Sequence, residues 1–331
     1  MSKKKINPVP VFFGFDERFK PYAYVAISSL VKNCDPGRTY DIHLLHTDLT
    51  EETIKTFKTL ENDYIKIIAD DVSDVVNDIV ANLPIRDYYS ASTYFRIVIA
   101  DKFPQYDKAL YIDSDTCIVG DVSELFDTKL KKKLVGGVRD AVTKIKPAGM
   151  YAKKVIGVKA KRYFNAGVIL INSKQWRKEK LLDQFVALAS FYDFTVAQDQ
   201  DYLNVLCRHR VKRLKRRWNM EALHTWKIKE KKHGIIHYAF CAKPWHDNTV
   251  PYANYFWEYA KGTPYFMDIK KVFSEHTMEQ LEQDNKVGEK VFEACIEEVN
   301  RDDNYMKRKK ALGASANDKN KEAEDSAREN T

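Results

Sequence analysis

Residues 107–125 read D-K-A-L-Y-I-D-S-D-T-C-I-V-G-D-V-S-E-L, and the rest of the chain is organised around this stretch. Its centre, Ala109-Leu110-Tyr111-Ile112, is apolar, flanked by polar residues and too short for a helix, which predicts a buried strand. The strand delivers Asp113-Ser114-Asp115 at its carboxyl end, and Cys117-Ile118-Val119 follows before Gly120 breaks the run. In α/β sheets, ligands gather at the carboxyl ends of strands. Two carboxylates separated by one residue can both reach one divalent cation. Hard oxygen ligands suit Mg²⁺ or Mn²⁺, which complete their shells with water and phosphate oxygens. Taken alone, Asp-x-Asp fits a solvated turn at least as well, so its neighbours must decide.

Upstream, residues 9–15 (V-P-V-F-F-G-F), 40–46 and 64–69 read as strands, with helices predicted over 21–31, 50–60 and 72–80. Pro21 is tolerated in a first helical turn, and Glu51 and Glu52 suit a helix N-terminus. Residues 92–100 read as a helix and 123–126 as a short helical turn. Strands follow at 134–138, which ends at Arg139-Asp140, at 168–171 and at 234–238, with helices at 181–192 and 198–206. Residues 144–161, rich in Lys, Gly and Pro, are expected to form a mobile loop or weak helix. Beyond 261 the strand signal ends; 273–299 has helical spacing, 307–310 is basic, and 311–331 reads as disordered. Strands alternating with helices predict an α/β fold with a mostly parallel, doubly wound sheet.

The 331 residues suit one large α/β domain with an extension, and 44% hydrophobic content supports a sizeable core. A net charge of +8 favours anionic partners: nucleotides, nucleic acid or an acidic membrane face. Seven Lys or Arg fall between Arg208 and Arg217, and four more between Lys227 and Lys232. No helix-turn-helix, zinc finger or RNP-like motif accompanies them, so a solvated face or attraction to anionic lipid is expected ahead of nucleic acid. Five widely spaced cysteines without a C-x-x-C pair argue against a disulfide framework or a zinc site and for a reducing compartment. No apolar run approaches the ~20 residues of a spanning helix. A cytoplasmic protein is expected, in peripheral contact with the inner face of a membrane at most.

Asp113 and Asp115 need a third partner to form a metal site. His237, at the end of the late strand, is the candidate, although a lone histidine there is more often a packed structural residue. Lys243-Pro244-Trp245 lies six residues on and places a cation near the same mouth. Asp199-Gln200-Asp201 stands where a helix begins, as dipole-complementing charge or as carboxylate and amide facing a sugar. Asn165-Ala166-Gly167 before a buried strand reads as a turn or as an amide donor with room for a ligand. Asp16 either caps the following helix or holds a base or ribose.

Six segments resemble glycosyltransferase family 8, the retaining enzymes that include bacterial cell-surface galactosyl- and glucosyltransferases and glycogenin. They are V-F-F-G-F-D at 11–16, T-Y-F-R at 93–96, L-Y-I-D-S-D at 110–115, Y-F-N-A-G-V-I-L-I-N at 163–172, Q-D-Q-D at 198–201 and H-Y-A-F-C-A-K-P-W at 237–245. Each is weak alone, but their order is specific. The resemblance implies a GT-A fold over residues 1–262, with a helical extension at 263–310 and a tail at 311–331. It assigns Asp113, Asp115 and His237 to Mn²⁺ (or Mg²⁺), Lys243 to the diphosphate of UDP-glucose or UDP-galactose, and Gly14, Phe15 and Asp16 to the uridine pocket. Arg96, Asp140, Asn165, Ala166, Asp199 and Gln200 would surround the donor sugar, with Asp199, Gln200 and Arg96 stabilising the reacting centre. The implied acceptor is a saccharide, lipid-linked or free, of a cell-surface glycan. Two positions depart from the family pattern: Phe240 replaces a usual glycine, and Arg18 a smaller polar residue.

Two other classes compete. A haloacid-dehalogenase-like phosphatase also carries Asp-x-Asp after a strand, but it wants Thr or Val where Cys117 stands and a downstream Gly-Asp-x-x-x-Asp that is missing. A non-catalytic nucleotide- or glycan-binding protein would keep the same polar residues without turnover.

Overall fold

In the computed structural model, which describes residues 7–80, 91–223 and 233–313, strands and helices alternate from the start. β1 (Val9–Gly14) leads to α1 (Lys20–Asn33), then β2 (Tyr40–His46), α2 (Glu51–Lys58), β3 (Ile65–Asp71) and α3 (Ser73–Val80). α1 carries Pro21 in its first turn, and Thr50 caps α2 by accepting from the Thr53 N–H at 3.2 Å. α4 (Phe95–Lys102) precedes β4 (Ala109–Ile112), which is followed by β5 (Thr116–Ile118), α5 (Val122–Phe126) and β6 (Val135–Arg139). Then come α6 (Lys146–Lys154), β7 (Phe164–Ile171), α7 (Ser173–Glu179), α8 (Leu181–Phe191) and α9 (Gln198–Leu206). β8 (Val211–Arg213), β9 (Met220–Glu221) and β10 (Ile235–His237) complete the strands, and α10 (Ala253–Ala260), α11 (Phe266–Glu275) and α12 (Met278–Asn300) follow.

The main sheet has the order β3-β2-β1-β4-β7-β6-β8. The first four strands run parallel, β7 is antiparallel to both β4 and β6, and β8 is parallel to β6. Both faces are buried, which is why its central strands are continuously apolar. Phe12, Tyr111, Ile169 and Ile171 face the core under α4, α6, α8 and α9, whereas Phe13, Leu110, Ile112 and Leu170 face that under α1 and α2. β1 pairs with β2 on one side and β4 on the other, so the order reverses there and leaves a crevice at their carboxyl ends. A second sheet, β5-β10-β9, stands across that crevice, with β10 antiparallel to β5.

Residues 146–154, within the stretch expected as a mobile loop or weak helix, form α6, a packed helix. Ala148, Tyr151 and Ala152 are buried while Lys146, Lys153 and Lys154 are exposed, so an apolar stripe at helical spacing was hidden by its lysines. α6 packs against α12, whose Cys295 joins the core. The polar segment after residue 208 holds β8 and β9 rather than only a solvated face. β8 is a half-exposed edge strand, which needs no apolar run. The four basic residues at 227–232 and the tail from 314 lie outside the described residues. Among the described residues, no helix is long and apolar enough to cross a membrane.

Candidate active site

The crevice is a cleft of about 500 Å³ lined by Gly14, Phe15, Asp16, Arg96, Asp113, Asp115, Asp140, Asn165, Ala166, Asp199, Gln200, His237 and Lys243. The structure therefore brings together every residue to which the resemblance assigns a role at the metal, nucleotide or sugar. β1 and β4 deliver Gly14 and Asp113 to the same edge, where the Ser114 hydroxyl donates to the Gly14 carbonyl at 3.2 Å. Asp16 both caps and lines: its Oδ1 accepts from the Phe19 N–H at 3.0 Å, and its Oδ2 pairs with exposed Arg18 at 3.0 Å.

Pairing of β10 with β5 sets His237 opposite Thr116, and the Tyr238 N–H donates to the Asp115 carbonyl at 2.9 Å. A residue distant in sequence thus reaches the Asp-x-Asp turn. His237 Nε2 lies 3.2 Å from Asp115 Oδ1 and 3.7 Å from Asp113 Oδ2, and the three groups present ligand atoms within 4.8 Å of one another. Lys243 Nζ donates to Asp115 Oδ2 at 2.6 Å and to the Tyr238 carbonyl at 2.7 Å. Burial works against the charge on Asp115, but the Lys243 ammonium outweighs it and holds this carboxyl well below the usual carboxylate range. Its Oδ1 is buried without a directed hydrogen bond, so an acceptor is left facing the histidine nitrogen.

The histidine tautomer follows from a chain of contacts. Asn165 Oδ1 accepts from the Gly167 N–H at 2.9 Å, so it must be oxygen; Asn219 therefore turns its Nδ2 to it, at 2.8 Å. Asn219 Oδ1 then faces His237 Nδ1 at 2.9 Å, which places the proton on Nδ1 and leaves Nε2 a free ligand. Two carboxylates and one imidazole fit a divalent ion such as Mn²⁺, and the nitrogen makes Mg²⁺ the poorer match. Asn219→Ala is expected to weaken Mn²⁺ binding by about 10–100-fold, the usual penalty for removing such a support. Asn219→Asp, which keeps an acceptor for Nδ1 but sets a second oxygen against Asn165 Oδ1, should restore only part of it; isothermal titration with Mn²⁺ checks both.

Arg96 spans the floor of the cleft. It pairs with Asp113 Oδ1 and Asp199 Oδ2, each at 3.0 Å, donates to the Ala166 carbonyl at 2.6 Å and stacks on Tyr111. Gln200 accepts from the Ala166 N–H at 2.9 Å and donates to Asp140 Oδ2 at 3.0 Å, so both ends of its amide are committed. Asp199 faces this cleft, whereas Asp201 turns into the core and accepts from the Tyr163 and Tyr151 hydroxyls at 2.6 and 2.8 Å. Burial pushes Asp199 up to about 7, with Arg96 opposing and Asp113 adding. Across roughly pH 4 to 7 the native state then holds a proton that the unfolded chain has lost, so this group lowers stability as pH rises. Asp199→Asn is expected to flatten the fall of melting temperature between pH 5 and 7.5; an equal slope in both proteins would contradict it.

Among the residues around the cleft, Asn219 and Glu221 escaped the sequence reading. Asn219, just before β9, and Glu221, on it, are both buried, and Glu221 accepts from the Ala141 N–H at 2.8 Å beside Asp140. The alternation in Trp218-Asn219-Met220-Glu221 was the available signal, masked by the surrounding basic residues. Phe240 adopts φ +64°, the left-handed region that glycine favours, under a bulky, partly exposed side chain.

A family model described as Glycosyl transferase family 8 matches residues 10–249, which include the cleft residues named from sequence. An Escherichia coli lipopolysaccharide 1,2-glucosyltransferase is 28% identical over 265 residues, 74% of this chain and 74% of its own length. The solved galactosyltransferase LgtC, in complex with donor and acceptor sugar analogues, is 26% identical with a TM-score of 0.64, covering 77% of this chain and 96% of that one. The apo bifunctional glycosyltransferase WbbM is 27% identical with a TM-score of 0.71; the match covers 82% of this chain and 53% of WbbM.

Proposed function

Because the chain belongs to glycosyl transferase family 8 and is a glycosyltransferase of that kind, we propose that it moves glucose or galactose from a UDP-sugar to a saccharide, Mn²⁺-dependently and with retention. The observation that carries this reading is the convergence of Asp113, Asp115, His237 and Lys243 at the carboxyl edge of β1 and β4. An ion bound by the first three would supply positive charge against the departing diphosphate. Lys243, already within hydrogen-bond reach of the ligand set, contacts the same phosphates and stabilises their charge. Gly14, Phe15 and Asp16 line the uridine end.

Asp140, Asn165 and Ala166 bound the sugar end of the cleft, and Arg96 orients Asp113 and Asp199 at once. Gln200, with its amide fixed from both sides, positions donor hydroxyls or steadies developing charge rather than attacking carbon. Glucosyl- and galactosyl-transferring relatives leave both sugars as donors to be tried. A panel of UDP-sugars assayed for release of UDP tests the reading. Release from UDP-glucose or UDP-galactose that requires Mn²⁺ is expected; metal-independent release, or none from any UDP-sugar, would overturn it.

The acceptor belongs on this reading to a cell-surface glycan, lipid-linked or free, in keeping with the lipopolysaccharide-directed relative. Residues 305–313 are helical and carry Lys307, Arg308, Lys309 and Lys310 beside exposed Leu312, which suits peripheral contact with an anionic, cytoplasmic-facing membrane. Replacing Lys307, Lys309 and Lys310 by alanine should weaken binding to phosphatidylglycerol liposomes by roughly 100-fold at about 1 kcal/mol per charge. Unchanged binding would remove the membrane contact from the account.

A further inference from the structure

A second convergence of ligating side chains lies at the far end of the same cleft, between the Lys243 turn and the C-terminal helices. His246 follows Lys243 in a turn closed by the His246 N–H to Lys243 carbonyl bond of 3.0 Å. His276 is the residue after α11, and Asp284 sits on α12. His246 Nδ1 lies 2.8 Å and His276 Nε2 3.1 Å from a single oxygen, Asp284 Oδ2. The imidazole rings are stacked, with centroids 4.0 Å apart and planes 8° from parallel. His246, Asp284 and Cys241 line the cleft, so the cluster is open to solvent ions.

We propose that His246, His276 and Asp284 form a second metal site, for a nitrogen-preferring divalent ion such as Zn²⁺, which clips α11 and α12 to the turn carrying Lys243.

The chemistry separates this site from the first. Two imidazoles and one carboxylate suit Zn²⁺ and its nitrogen-preferring neighbours, whereas two carboxylates and one imidazole lean to Mn²⁺. The two nitrogens lie 2.8 and 3.1 Å from Asp284 Oδ2 and all three ligand atoms lie within 4.8 Å of one another, so one ion at about 2 Å from each can be shared once the rings turn out of their stack to bring it into both ring planes. Two stacked rings are also a poor arrangement for two protonated histidines, which would repel across the stack. Burial, together with His276, lowers His246 against the pull of Asp284, toward the neutral form that a metal requires. Cysteine spacing argued against a zinc site, and this cluster contains no cysteine. Cys241 lies one helical turn from Asp284, where its Sγ approaches Gly288, and is not among the converging atoms.

Three protein ligands leave a coordination position for water or for a substrate oxygen. The three groups come from segments joined by no strand pairing, so an ion would link them directly. His276 and Asp284 fall outside the matched residues 10–249, so the site does not depend on the transferase reading.

The test uses the full chain, stripped with chelator, with Asp115→Ala to disable the first site. Isothermal titration with Zn²⁺ is expected to show one bound equivalent and a raised melting temperature. Adding His276→Gln or, separately, Asp284→Asn should remove that equivalent and the thermal shift. Failure of Asp115→Ala to take up zinc, or equal uptake after these further changes, would overturn the site. Should either change disturb the metal-free fold, the Co²⁺ spectrum of the Asp115→Ala protein decides. Ligand-field bands without a thiolate charge-transfer band are expected; a thiolate band would place Cys241 in the shell and overturn this ligand set.

Discussion

Gly167→Ala is expected to abolish metal binding and sugar transfer together while the sheet still forms. A Cβ at this position would lie 2.3 Å from His237 Cε1 and 2.6 Å from Asp113 Oδ2, far inside contact distance. Neither neighbour can retreat cheaply. His237 is held by β10 pairing and by Asn219, and Asp113 by Arg96 and by its N–H bond of 2.7 Å to the Gly167 carbonyl. The methyl group thus displaces two of the three proposed ligands at once. Loss of the several kcal/mol that a metal contributes to charge stabilisation corresponds to a fall of ~10³-fold in turnover. Parallel titration with Mn²⁺ and measurement of UDP release check this. Retained Mn²⁺ affinity would mean that the ion, if any, sits elsewhere.

Arg96→Ala is expected to damage stability as much as activity. Arg96 is 6% exposed and compensates two carboxylates, Asp113 and Asp199, while donating to the Thr93 and Ala166 carbonyls. Removing one partner of a buried charge cluster typically costs about 3–5 kcal/mol. For a chain of this size that is a drop of about 4–7 °C in melting temperature. Arg96→Lys should recover only part of it, because an ammonium on a flexible stem cannot reproduce the planar fork that reaches both carboxylates. Thermal melts of the three proteins test this; equal melting temperatures for the lysine variant and the parent would show that charge alone suffices.

The main sheet was legible because its strands are short apolar runs with polar punctuation. Residues 40–46 and 198–206 take the predicted boundaries, and the Asp-x-Asp strand lies where periodicity places it, within the GT-A fold that the resemblance implied. Where an element owes its burial to a distant partner, the sequence was silent. β9 is buried by pairing with β10, so Asn219, the residue before it, reads as one more polar residue in a basic stretch until the second sheet is assembled. α6 was obscured by lysines on its outer face. The acidic cluster was legible as a cluster but not as two destinations. Residues two apart on a helix point about 200° apart, which sends Asp199 to the cleft and Asp201 to Tyr151 and Tyr163. Phe240 holds φ +64° under a bulky side chain at a position the resemblance gives to glycine.

The most direct test of the central claim is a titration of the protein with Mn²⁺, followed by electron paramagnetic resonance, with and without UDP and in the parent and Asp115→Ala chains. The account predicts that the parent binds Mn²⁺ more tightly when UDP is present, and that Asp115→Ala loses both this binding and its enhancement. Mn²⁺ binding indifferent to UDP, or equal in the two chains, would contradict it.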